Sequence, residues 1–201
     1  KVKVKKSDTF IDMTPMSDVM TLLLTFFMLT STFVKNEPVK VNTPGSVSET
    51  KVPENGVLTI LVSPQKGPNG TPTGEGQVFL SYDNTNELGQ IVDNMGVTLT
   101  PAQKKTFVAE STFGTPLDKL AAYLSKPAAE RGKELPKMGI PLDSIQGQEM
   151  TEFQQWVNAA RQVNPKVRLA IKSDADSPYG TVKKVMSELQ DMDESHYYMI
   201  T

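Results

Sequence analysis

No cysteine occurs in the 201 residues, so the chain forms neither a disulfide nor a thiolate metal site. His196 is the only histidine, which leaves any metal site to oxygen ligands. Neither charge dominates: 21 Lys and Arg stand against 23 Asp and Glu, a formal net charge of −2. A nucleic-acid partner would call for a basic face or stripe, and the composition offers none. Phosphate-binding glycine patterns are missing too. The stretch from Lys66 to Gly76, KGPNGTPTGEG, has neither Walker nor dinucleotide spacing and reads as a hairpin loop. Asp174-Ala175-Asp176 opens like a calcium loop, but Pro178 and Val185 fall where further ligands belong, so it reads as an acidic turn. No nucleophile stands beside a base. The expectation is a chain that is not an enzyme, with no cofactor and no metal.

What the sequence does hold is one concentrated apolar run, hidden by a mean hydropathy of −0.31. Met16 to Val34 reads MSDVMTLLLTFFMLTSTFV, with Asp18 as its single charge. At ~1.5 Å per residue such a run matches the roughly 30 Å of a hydrocarbon core. Thr14 is placed to cap the helix, and Pro15 suits a first turn, where its missing N–H costs nothing. A cleaved signal peptide would also open with basic residues, here Lys1, Lys3, Lys5 and Lys6. However, the run is long, it contains an acid, and no small-residue cleavage site follows. A buried helix of a soluble domain would show a charged face. The expected organisation is therefore a cytoplasmic segment 1–15, a single transmembrane helix 16–34, and a chain beyond the membrane. The lysines before the span set that orientation, which in a bacterium puts residues 35–201 in the periplasm.

Asp18 is the chemically costly residue. A carboxylate in a membrane helix costs ~2.5–3.5 kcal/mol on insertion scales and usually faces a partner or water. Two plainer readings stay open: solvation at the membrane edge, and capping of the helix N-terminus. At about 100° per residue, Thr21, Thr25 and Thr32 fall within about 60° of Asp18 around the helix. Met20, Leu23, Leu24, Phe27 and Val34 lie on the other side. Each threonine alone could close onto the backbone four residues back. Aligned with an acid, the three form a polar stripe that suits a face turned to protein or water, and a candidate proton path.

Beyond the span, 35–55 is rich in Pro, Ser, Thr and Val and reads as an extended linker. Residues 57–62 and 78–82 read as strands. Residues 84–94, 117–124 and 148–163 read as helices, the last with Met150, Phe153, Trp156, Val157 and Ala160 on one side. Residues 167–171 form a buried strand, Ser177-Pro178 is an N-cap and first-turn pair for a helix to Met192, and 198–201 a last strand with His196 beside it. This order gives an α+β domain over 56–201, a small mixed sheet with packed helices.

Two motifs carry a resemblance. Ile11-Asp12-Met13-Thr14-Pro15-Met16-Ser17-Asp18-Val19-Met20, running into the apolar helix, is similar to the N-terminal motif of the ExbD/TolR family. Val167 to Asp174, then Pro178-Tyr179-Gly180, then the helix from Val182 to Leu189, resembles the family's C-terminal strand, turn and helix. Residues from about 94 to 162 look like an enlargement, and Val41-Asn42-Thr43-Pro44 is a loose version of the family's short strand after the span. The resemblance implies a proton-driven motor subunit with Asp18 as proton carrier. It implies two copies inside a pentamer of a polytopic ExbB/TolQ-like partner, in contact with membrane lipid, coupled to a TonB- or TolA-like protein. The alternative is a passive, membrane-tethered domain that binds a partner or a cell-wall polymer. That reading explains the outer domain equally well but leaves the acid and its threonines without a purpose.

Overall fold

Helix α1 (Thr14–Thr30) has no buried residue along its 17 positions. The computed structural model describes residues 12–30, 39, 41–43, 56–66, 72–143 and 150–200. The chain divides into two compact units, Lys1–Asn36 and Glu37–Thr201. Among the described residues no helix is long and apolar enough to cross a membrane. At ~1.5 Å per residue, the described part of α1 spans about 25 Å. Ser31 to Val34, the rest of the expected span, lie outside the described residues, as does most of the expected linker.

The second unit is built on one mixed sheet. Gly56 turns the chain with φ +71, a conformation open to glycine, and delivers it into β1 (Val57–Lys66). β2 (Pro72–Tyr82) returns antiparallel, so the hairpin is longer than its sequence suggested. The bend between Pro64 and Lys66 shifts the register and lets proline sit in the ladder. β1 then pairs in parallel with β4 (Arg168–Ser173), and β4 in parallel with β5 (Tyr197–Ile200). With the short β3 (Thr112–Phe113) the strand order is β3-β2-β1-β4-β5.

Helices cover this sheet. α2 (Thr85–Asn94) begins where the Asn84 side chain accepts the N–H groups of Asn86 and Glu87. α3 (Pro101–Glu110) was not legible as a helix, although Thr100 and Gln103 form a reciprocal capping box around Pro101. α4 (Leu117–Leu124) follows Pro116 as expected. α5 (Ala128–Glu134), continued by a 3-10 turn at Leu135–Lys137, was also missed. α6 (Glu152–Val163) starts at a second capping box, Thr151 with Gln154. α7 (Tyr179–Asp191) starts one residue later than predicted. Ser177 does not cap it: its hydroxyl donates to the Val62 carbonyl at 2.9 Å, tying the turn to β1.

The core joins the expected elements to the middle region. Phe153, Trp156, Val157 and Ala160 are buried along α6. Trp156 stacks on Phe107 of α3 at 5.9 Å and meets Phe113 of β3 at 4.6 Å. Gly114 allows the chain to cross Phe79 closely, since a Cβ there would collide with its ring. Arg161 donates to both carboxylate oxygens of Glu194, at 2.6 and 2.5 Å, and to the carbonyls of Pro165 and Val167. The end of α6 is thereby fixed to the turn that enters β5. Tyr82 donates to Glu87, which also accepts from Asn164 at 3.1 Å. Burial, reinforced by the glutamate, pushes the Tyr82 phenol up to about 12.

Candidate functional site

The chemistry expected of α1 depends on what each polar group does along it. Thr14 is the first residue of the helix and not its cap. Asp12 takes that role: its Oδ1 accepts the Thr14 N–H at 3.0 Å and the Thr14 hydroxyl at 2.6 Å. These bonds hold the Asp12 carboxyl below the usual carboxylate range. Pro15 stands in the first turn, where no partner is required. Asp18 is therefore a full turn inside the helix, past the open N–H groups, so the capping explanation belongs to Asp12. Its side chain is exposed and has no bonding partner among the described residues.

Two of the three threonines on the Asp18 side are described. Thr21 donates its hydroxyl to the Ser17 carbonyl at 2.8 Å. Thr25 donates to Thr21 at 2.9 Å and to Leu22 at 3.0 Å. Thr30, off the stripe, does the same to Phe26 at 2.7 Å. In this helix the hydroxyl protons are committed to the backbone, and the oxygens keep their lone pairs for outside donors. Thr32 lies outside the described residues.

The remaining surface of α1 is apolar all round. Met16, Met20, Leu24, Phe27, Met28 and Leu29 are each more than half exposed. In the described chain, every large exposed apolar side chain except Tyr179 and Met199 lies between Met13 and Leu29. A patch of that size marks a surface covered by something else.

The second motif forms a structural joint. Asp174 Oδ1 accepts the Asp176 N–H at 3.1 Å, and Oδ2 accepts the Asn42 N–H at 2.8 Å. Ala175 in turn donates its N–H to the Asn42 carbonyl at 3.0 Å. The acidic turn thus holds the chain arriving from the linker, a task its composition did not reveal. Val41-Asn42-Thr43 is held there without forming a strand. Among the described residues no three His, Asp or Glu side chains are grouped to hold a metal ion. His196 precedes β5, exposed, with Nδ1 3.2 Å from the Ser195 hydroxyl.

The two motifs, one at each end, bracket the chain as a single family pattern would. The family model described as biopolymer transport protein ExbD/TolR matches residues 5–197. The chain belongs to the ExbD/TolR family. The match takes in both motifs and spans the middle region between them. The chain matches none of the curated proteins and none of the solved structures with which it was compared.

Proposed function

We propose that this ExbD/TolR-family chain is the proton-carrying subunit of an inner-membrane motor. α1 belongs to its single membrane anchor, with the N-terminus cytoplasmic and the sheet domain periplasmic. The observation that carries the reading is the surface of α1: exposed apolar side chains around the helix, broken by one narrow stripe with a carboxylate a full turn inside. Lipid and an apolar protein wall cover such a surface, and water does not.

Family membership supplies the partners in this proposal. Two copies of α1 sit within a pentamer of a polytopic ExbB/TolQ-like protein, and the periplasmic domain couples to a TonB- or TolA-like protein. The chain is not an enzyme in this reading. Asp18 takes up a proton from one side of the membrane and releases it to the other. Each elementary charge crossing 100 mV delivers ~2.3 kcal/mol. Protonation removes the charge and lets that face of α1 pass an apolar partner wall. The lone pairs of Thr21 and Thr25, with Thr32 beyond them, line the outward route for water.

Asp18→Asn keeps the size of the side chain and removes the titratable proton. Co-purification with the polytopic partner should survive, and energised function should be lost, with Asp18→Glu restoring part of it. Full energised activity in the Asp18→Asn strain would leave the passive, tethered-domain reading in its place.

A further inference from the structure

The sheet domain carries a groove of about 640 Å³ that the proton reading does not use. One wall is the family frame: Gln77 and Val78 of β2, and Thr181 and Lys184 of α7. The opposite wall comes from the middle region: Pro116, Lys119 of α4, and the stretch from Lys137 to Asp143. That stretch is fixed to the sheet, since Ile140 donates its N–H to the Val78 carbonyl at 2.9 Å. The groove exists because the middle region folds back over the edge of β2.

Its charge is one-sided. Lys119, Lys137 and Lys184 line it, against a single carboxylate, Asp143, which pairs with Lys184. Among the described residues, Lys119 and Lys137 have no ion pair, and both are exposed. The lining also carries apolar side chains, with Met138, Pro141 and Leu142 part-exposed. Gln77 adds an unmet need: its amide oxygen is buried without a hydrogen-bond partner among the described residues. The terminal torsion of glutamine is broad, so a donor arriving at the wall can draw that oxygen toward it.

We propose that this groove binds an acidic peptide segment of a partner protein. Carboxylates meet the ammonium groups of Lys119 and Lys137, an apolar side chain lies on Met138 and Leu142, and a peptide N–H is accepted by Gln77. A bare anion such as phosphate satisfies only the first of these. The volume falls in the range of about 300–1,000 Å³ common for binding clefts. The proposal is independent of Asp18, so loss of one reading leaves the other standing.

The test uses the full chain in detergent and a fluorescent, end-blocked Glu-Leu-Asp tripeptide, with binding read by anisotropy. The amide counterpart Gln-Leu-Asn should bind at least about tenfold more weakly, since charge-assisted contacts are roughly twice as strong as neutral ones. Lys119→Gln with Lys137→Gln should cause a similar loss, and Lys166→Gln, outside the groove, should leave binding unchanged. Raising the salt from about 0.05 to 0.5 M should weaken the acidic peptide selectively. Gln77→Leu should reduce affinity without altering the preference for acid over amide. Equal binding of the acidic and amide peptides, or indifference to the lysine changes, would overturn the proposal. Displacement by inorganic phosphate at equal affinity would overturn it too, reducing the groove to an anion site.

Discussion

α1 and the sheet domain distribute apolar residues in opposite ways. The sheet domain hides them: Ile60, Phe79, Leu88, Phe153 and Leu189 have no measurable exposure. α1 shows them all, with Leu29 at 87%. Polar groups differ in the same sense. In the sheet domain they bind one another over long stretches of sequence, as Arg161 does with Glu194 and Asn164 with Glu87. On α1 every described hydroxyl bond stays within four residues. One unit buries its own apolar residues, and the described helix of the other leaves its apolar residues exposed. Mutations should separate the two: those in the sheet domain alter stability, and those on α1 alter function.

The sharpest contrast pairs two aromatics. Trp156→Ala opens a cavity among Phe107, Phe113 and the rest of the core, and should cost about 3–5 kcal/mol of unfolding free energy. Phe27→Ala removes an equally apolar side chain from α1 and should leave that unfolding curve unchanged. Urea denaturation followed by far-UV circular dichroism of both variants decides it, and a shift with Phe27→Ala would break the comparison.

The boundary gives a second test. Val39 is 5% exposed and belongs to the core of the sheet domain, although it precedes most of the linker. A chain beginning at Glu37 should fold and melt cooperatively. One beginning at Val41 should also fold but lose about 1–2 kcal/mol, the contribution of one buried valine. Thermal melts of the two truncations would show equal stability if the linker residues do not belong to the domain.

On α1 the effect sought is kinetic. Thr25→Val preserves shape and removes the oxygen on the Asp18 side, and should slow energised function several-fold at unchanged assembly. Leu24→Ala, away from that stripe, should slow it less. Equal rates for wild type and Thr25→Val would show that the hydroxyl only closes onto the backbone.

The smallest effect concerns Glu152. It is 5% exposed, accepts the Leu117 N–H at 3.0 Å, and lies near Asp118. Burial raises its carboxyl above the ordinary range, opposed by that N–H bond. The folded form therefore holds its proton to higher pH than the unfolded form. Stability from this group is present below the ordinary carboxylate range and falls as pH rises through the raised folded value. Glu152→Gln keeps an acceptor for Leu117 and should flatten that fall, gaining about 1 kcal/mol or less at neutral pH. Denaturation midpoints from pH 4 to 7 check the slope.

Legibility followed the same division. β1, α2, α4, α6 and β4 announce themselves through period and caps, because their own residues decide them. α3 and α5 do not: α3 buries only Phe107 and α5 buries nothing. The signal for α3 lies at its start, in Thr100-Pro101 with Gln103, while α5 follows Pro127 with no side-chain cap. The role of Asp12 was obscured by Thr14, an equally good cap by type, and only geometry shows which of the two accepts. The joint between Asn42 and Asp174 joins positions 132 apart, beyond the reach of any local pattern.

The parallel pairing of β1 with β4 has a consequence for how the protein is made. Val57 lies beside Arg168, so the middle of the sheet joins residues more than a hundred positions apart. A chain emerging N-terminus first can close the β1–β2 hairpin early, but the other edge of β1 stays open until the last fifth of the sequence arrives. During that interval β1, with Val57, Leu58, Ile60, Leu61 and Val62, offers a free edge to any neighbouring chain. A stop codon before Arg168 would fix the protein in that condition, leaving an adhesive fragment in place of a smaller domain.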